Sequence, residues 1–192
     1  MSRLAERTGL SPAEYLTWEA SQPERHEYFD GEVFAMAGGS PRHNALAVNV
    51  SAALLGGLRE KGCSVLSSDQ KLGVGRGTRY VYADVTVVCG PLRLQSGTTD
   101  VLENPNVVVE VLSGTTEQYD RGLKWESYQR LESLTDYLLV SQTEARIEHY
   151  RRGADGDWTY RAVEGGGRVE LASGVTLDVD AIYSGAFSIE GE

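Results

Sequence analysis

TRYVYADVTVVCGP (residues 78–91) and NPNVVVEVLSGTTEQYDRGLKWESY (residues 104–128) decide the fold. From Val107 to Leu112, five of six residues are Val or Leu, and the sixth is Glu110. Such a run reads as a strand buried on both faces. An unpaired ionised carboxylate there would cost many kcal/mol, so Glu110 must be paired, protonated or metal-bound. Along Val81–Cys89, alternation sets Tyr82, Asp84 and Thr86 on one face and Val81, Ala83, Val85 and Val87 on the other. If the two strands are neighbours, Asp84 and Glu110 can converge on one hard cation. Oxygen ligands of this kind suit Mg²⁺, which takes one or two carboxylates plus waters and phosphate oxygens. Lys124 follows on a helix whose start is capped by Thr115 or Thr116, with Glu117 in its first turn. Asp120 and Lys124 share a face of that helix, which folds back so that Lys124 reaches the end of the sheet.

At 192 residues the expectation is one domain, 1–192, with a core over about 24–142 and a β-rich extension over 143–192. Cys63 and Cys89 lie in or beside apolar runs, which reads as buried thiols in a reducing cytoplasm. No apolar stretch approaches the ~18–20 residues of a spanning helix, and MSRLAERTGL lacks the apolar core of a signal peptide. The net charge of −10 argues against strong non-specific binding to nucleic acid. The charge is uneven, however. Residues 59–93 carry six basic side chains (Arg76 among them) against three acidic, whereas two basic face eight acidic after Arg152. A mildly basic middle is compatible with a phosphate-facing patch and equally with a solvated surface.

In chain order, Ser11-Pro12-Ala13-Glu14 starts a short helix. Glu24–Ala37 reads as a hairpin turning at Asp30-Gly31. A long helix follows Gly38-Gly39-Ser40-Pro41 to about Glu60, with Leu46, Val50, Leu54 and Leu58 as its stripe and His43 one turn earlier on the same face. Cys63–Val74 reads as a strand, then the Asp84 strand, a loop over Leu92–Asn104, the Glu110 strand, the Lys124 helix to about Leu134 with Leu123 inward, and a strand over Thr135–Gln142. The tail reads as meander strands. The order implies a mixed α+β fold, a mixed sheet flanked by helices with an N-terminal hairpin and a C-terminal β-meander.

EYFDGEVFAMAGGSPRHN, SSDQKLGV, YVYADVTVVCG, NPNVVVEVLSGTTEQYDRGLKWESY and DYLLV, in this order, cover most of Glu27–Val140. Together they resemble the restriction-endonuclease-like PD-(D/E)XK superfamily, and within it the small bacterial Uma-type branch. The resemblance implies a Mg²⁺-dependent nuclease core (Mn²⁺ as a substitute) with Asp84 and Glu110 as metal ligands and a lysine displaced onto the following helix, Lys124. It also implies that Glu32, just after the hairpin turn, and His43, at the start of the long helix, lie near the site. The chain departs from the superfamily pattern in three places. Ala83 stands where a proline usually precedes the first acid, Leu112 where a lysine follows the second, and Ser113-Gly114 where the branch has serine-proline.

The reaction expected is hydrolysis of a phosphodiester of nucleic acid, with DNA as the expected substrate. The metal would polarise the phosphate and Lys124 would stabilise developing charge or orient water. This fold often works as a homodimer. Each residue has a plainer reading. Glu110 can be a buried ion pair with Lys124 or Arg121, Asp84 a hydrogen-bonded strand-end carboxylate, and Lys124 a surface pair with Asp120. His43 can be a structural histidine and Glu32 an ordinary strand-start residue. Tyr80, Tyr82, Trp125 and Tyr128 can stack on bases or simply pack in the core. The rival functions are a catalytically degenerate nuclease-fold homodimer that binds DNA or a protein, and a hydrolase of small phosphoesters.

Overall fold

The computed structural model describes residues 4–36, 38–75 and 77–189, so the expected hairpin end at Ala37 and the basic residue Arg76 lie outside the described residues. Strand β1 (Arg7–Thr8) leads to helix α1 (Pro12–Glu19). Ser11 Oγ accepts the Glu14 N–H at 3.3 Å and the Glu14 carboxylate accepts the Ser11 N–H at 2.8 Å, closing a capping box. Strands β2 (His26–Phe29) and β3 (Glu32–Ala35) form the hairpin, with Asp30 at φ 47° and Gly31 at φ 103° in its two-residue turn. Helix α2 (Pro41–Leu58) follows, buried along Leu46, Val50, Leu54 and Leu58.

Strands β4 (Cys63–Ser67), β5 (Lys71–Val74), β6 (Arg79–Tyr82), β7 (Val85–Cys89), β8 (Val101–Leu102) and β9 (Val107–Val111) come next. Then come α3 (Glu117–Tyr119), a π-helical turn (Asp120–Lys124), α4 (Trp125–Tyr128) and β10 (Asp136–Val140). The tail holds β11 (Arg146–Arg152), β12 (Trp158–Glu164), β13 (Arg168–Glu170), β14 (Thr176–Asp178) and a short helix α5 (Val179–Tyr183). Among the described residues no helix is long and apolar enough to cross a membrane.

The strands divide between two six-stranded sheets, ordered β1-β3-β2-β6-β5-β8 and β12-β11-β10-β9-β7-β4, with β13-β14 as a separate pair. Each contains both parallel and antiparallel pairs, so the fold is mixed α+β. Two stretches read as single strands are each two. Between Ser67 and Lys71, and again at Ala83–Asp84, the chain steps from one sheet to the other. Uniform alternation conceals such a corner, because β6 and β7 are each apolar and nearly contiguous.

The second sheet is covered on both faces. Val85, Val87, Val107, Val109 and Val111 pack with the α2 stripe and with β13, β14 and α5. Val88, Val108, Leu112 and Leu139 face Leu72, Val74 and Val81 of the first sheet, together with Tyr128 and Leu134. The outer face of the first sheet is closed by Tyr15 of α1, stacked on Tyr28 and Tyr80. Glu110 has the parity of Val108 and Leu112, so its carboxylate points into the space between the sheets.

The cysteines correct the expectation of free thiols. Cys63 stands directly opposite Cys89 in the β4–β7 register, with Cα atoms 3.9 Å apart, and the two form a disulfide. Leu123, expected inward, is 50% exposed, because the inward position on the π turn is taken by Lys124.

Candidate active site

Asp84 sits at the corner where the chain leaves the first sheet for the second. The β7–β9 ladder ends with Val85 opposite Val109, and the same register carried one residue further sets Asp84 opposite Glu110. In place of a further ladder bond, Asp84 Oδ2 accepts the Val111 N–H at 2.6 Å. Its Oδ1 lies 3.0 Å from His43 Nε2, so the first turn of α2 is tied to the strand corner. Both side chains remain partly open, 17% for Asp84 and 15% for His43.

Glu110 and Lys124 are buried at the back of the same cleft. Lys124 Nζ reaches Tyr82 O at 2.9 Å, Glu110 Oε1 at 3.0 Å, Glu27 Oε1 at 3.2 Å and Asp120 Oδ1 at 3.6 Å. An ammonium has three N–H donors, and here three oxygens stand within 3.2 Å of it. Tyr128 donates its hydroxyl to the same Glu110 Oε1 at 2.9 Å, and neither bond uses Oε2. The π turn aligns the cluster: with more than four residues per turn, Asp120 and Lys124 lie nearly one above the other and both face inward.

The electrostatics follow from one cation shared among several acids. Burial opposes the charge on Lys124, but Glu110, Glu27 and Asp120 outweigh it and raise its pKa well above the ordinary lysine value. Burial also pushes the Glu110 carboxyl well above the usual range; Lys124 pulls it back, while Asp120, Asp84 and Glu27 push it further up. Asp120 is raised for the same leading reason. The lysine collects the field of all three acids, whereas each acid receives only part of one cation's field and is repelled by the others. The ammonium is therefore firmly charged. For His43, burial lowers the pKa, but the hydrogen bond and charge of Asp84 more than offset it, so the net direction is up.

Of the residues expected from the sequence, Asp84, Glu110, Lys124 and His43 line one cleft. Glu32 does not join them. It is exposed and pairs with Phe29 at the turn end of the hairpin, whereas Glu27 pairs with Phe34 two rungs away, about 7 Å along the strand. Both acids have the same facing, and only Glu27 is at the depth of Lys124. Glu27 is 2% exposed, an unusual state for a glutamate. In the sequence it looks like the ordinary start of a strand. Of the aromatics, Tyr80, Tyr82 and Tyr128 are buried, and Trp125 stacks on Tyr137 with ring centroids 5.5 Å apart, so these are packing residues. Arg121 is held by Glu148 and by Glu117.

Among the described residues no three or more His, Cys, Asp or Glu side chains are arranged to hold a metal. What the cleft offers is a carboxylate at its edge, Asp84, opposite a buried second one, Glu110. That pair fits a hard ion that accepts one or two carboxylates and keeps waters or phosphate oxygens in its remaining positions.

Known proteins resemble the chain over most of its length. The model of the Uma2 family, described as "Putative restriction endonuclease", matches residues 12–181. An uncharacterised protein of Synechocystis sp. is 43% identical over 177 residues, 92% of each chain. A second from the same organism is 32% identical over 149 residues, 78% of this chain and 84% of its own. Among solved structures, a crystal structure from Anabaena variabilis, titled a "putative nuclease belonging to DUF820", superposes with a TM-score of 0.74 at 14% identity, covering 92% of this chain and 99% of the other. At that identity the likeness speaks for the fold.

Proposed function

Because the chain belongs to the Uma2 family of restriction-endonuclease-like proteins, we propose that it is a divalent-metal-dependent endonuclease that hydrolyses phosphodiesters of nucleic acid, DNA first among them. One observation carries the reading: a continued strand register sets Asp84 opposite Glu110 at the edge of the cleft that also holds Lys124. Asp84 and Glu110 would hold Mg²⁺ or Mn²⁺. When bound, the ion supplies Lewis-acid polarisation of a phosphate oxygen and an activated water.

The charge balance of the cleft supports an ion there. Seven carboxylates line it against three Lys or Arg side chains. An anionic backbone entering it without a divalent cation would be repelled. The protein's own groups then divide the work. Asp84 is the ligand open to solvent, fixed by the Val111 N–H on one oxygen and by His43 on the other. Lys124 holds Glu110 and Glu27 in place and keeps a positive charge behind the reacting phosphate. Its N–H groups already point at protein oxygens, so it acts on the phosphate through its field unless one of those bonds opens.

The test is nicking of supercoiled plasmid with Mg²⁺, with Mn²⁺ and with chelator, on the wild type and Asp84→Asn. Metal-dependent nicking that falls by about 10²-fold or more in the variant is expected. Mn²⁺ should also raise the melting temperature of the wild type and not of the variant. A metal-independent gel shift with no cleavage would instead favour the nucleic-acid-binding module with a degenerate site.

A further inference from the structure

The side chain of Gln142, just past the end of β10, joins three parts of the site. Ser40 Oγ, at the N-cap of α2, donates to Gln142 Oε1 at 2.9 Å. Gln142 Nε2 donates to Leu112 O, beyond the end of β9, at 2.7 Å. The same nitrogen lies 3.4 Å from His43 Nδ1, while Arg42 Nη1 donates to the Gln142 backbone carbonyl at 3.4 Å. Leu112 O is a carbonyl and can only accept, so the amide nitrogen must be the atom that faces it. That nitrogen has a second hydrogen, and the acceptor within reach of it is His43 Nδ1. The opposite ring nitrogen, Nε2, is then the one carrying hydrogen toward Asp84 Oδ1, 3.0 Å away.

A second observation bears on the same ring. A Cβ added at Gly39 would lie 2.5 Å from His43 Cδ2 and 2.9 Å from Cγ, so the glycine backbone lies close against the imidazole. His43 is thus bounded on one side by main chain and held at each nitrogen by a polar partner.

We propose that Gln142 is a positioning residue of the active site: its side-chain amide fixes the His43 ring so that Nε2–H is presented to the Asp84 carboxylate. This rests on the reading of Asp84 as a functional carboxylate and adds the device that orients it. Partners that orient a ligand from behind typically contribute about 10–100-fold in activity or metal affinity. Gln142 would act in that range without touching substrate.

The experiment uses ¹⁵N-labelled histidine in the full-length protein, without metal or substrate, at a pH high enough for the ring to be neutral. Wild-type His43 should show hydrogen on Nε2 and an Nδ1 resonance displaced from that of a free acceptor. In Gln142→Leu, which keeps bulk and removes the amide, Nδ1 should move to the free-acceptor position. Plasmid nicking should fall about tenfold with KM little changed. A wild-type ring carrying its hydrogen on Nδ1 would overturn the assignment even if the variant failed to fold. An unchanged Nδ1 resonance, or wild-type nicking by Gln142→Leu, would overturn it as well. The spectra decide the Gln142–His43 contact even if the protein cuts no DNA, so failure of the nuclease reading and failure of this inference remain distinguishable.

Discussion

Lys124 Nζ stands 3.0 Å from Glu110 Oε1, fourteen positions apart in the chain, and both side chains are nearly inaccessible. Breaking such a pair from one side leaves a buried charge without compensation, typically at a cost of about 3–5 kcal/mol. Here one lysine serves three acids, so Lys124→Met should lose at least that much in urea unfolding. Adding Glu110→Gln to that variant should restore part of the loss, because it removes one of the stranded carboxylates. A Lys124→Met protein as stable as the wild type would mean that the lysine does not hold the acids in solution.

The His43–Asp84 contact gives the cleft a pH dependence whose expected sign can be worked out. The folded pKa of His43 lies above the ordinary value of 6.5, since Asp84 outweighs the opposing effect of burial. The charged ring therefore stabilises the fold fully below the ordinary histidine pKa, and this contribution is lost as pH rises through the folded value. The stability gap between wild type and His43→Gln should be widest in mild acid and close toward alkaline pH. In an Asp84→Asn background the gap should vary much less over the same range. Paired denaturation curves across that range check both statements. A gap that widens with pH would reverse the assignment.

Glu27 and Glu32 flank one turn and make a controlled pair. Glu27 is buried against Lys124 at 3.2 Å, whereas Glu32 is exposed at the other end of the hairpin. Glu27→Gln should lower plasmid nicking by about tenfold or more and shift the melting temperature. Glu32→Gln should leave both within error, as surface substitutions usually fall within about ±0.5 kcal/mol. Equal effects from the two would mean that the hairpin is used differently from the way it is folded here.

These contrasts also show what the sequence discloses. Glu110 was legible because a single acid in a run of valines is a conflict that only a partner resolves. The helix after its strand was legible from its start signals and the Asp120–Lys124 spacing, so Lys124 could be placed, although the helix ends at Tyr128 and not near Leu134. The corner at Asp84 was not, because alternation runs smoothly across a change of sheet. Glu27 was hidden for a related reason: facing is readable within a hairpin, but depth along it depends on what packs above. The pairing of Cys63 with Cys89 needed the β4–β7 register, which follows from the tertiary fold. The terminal helix α5 is only five residues long, too short to show a period.

Gly39 offers the sharpest steric test of the His43 arrangement. An added methyl at this position would sit 2.5 Å from His43 Cδ2, closer than carbon atoms tolerate, so the ring must turn or slide. His43 is near the cleft mouth and 15% exposed, so the ring can yield at modest cost, on the order of 1 kcal/mol. Catalysis should suffer more than stability, because a displaced imidazole no longer meets Asp84 Oδ1 squarely. Gly38→Ala is the matched control, since a Cβ there meets nothing within 4 Å. The expected result is a melting temperature within a few degrees of wild type for both variants, with nicking reduced about tenfold in Gly39→Ala alone. Full activity in Gly39→Ala would show that the reaction does not depend on where the histidine ring sits.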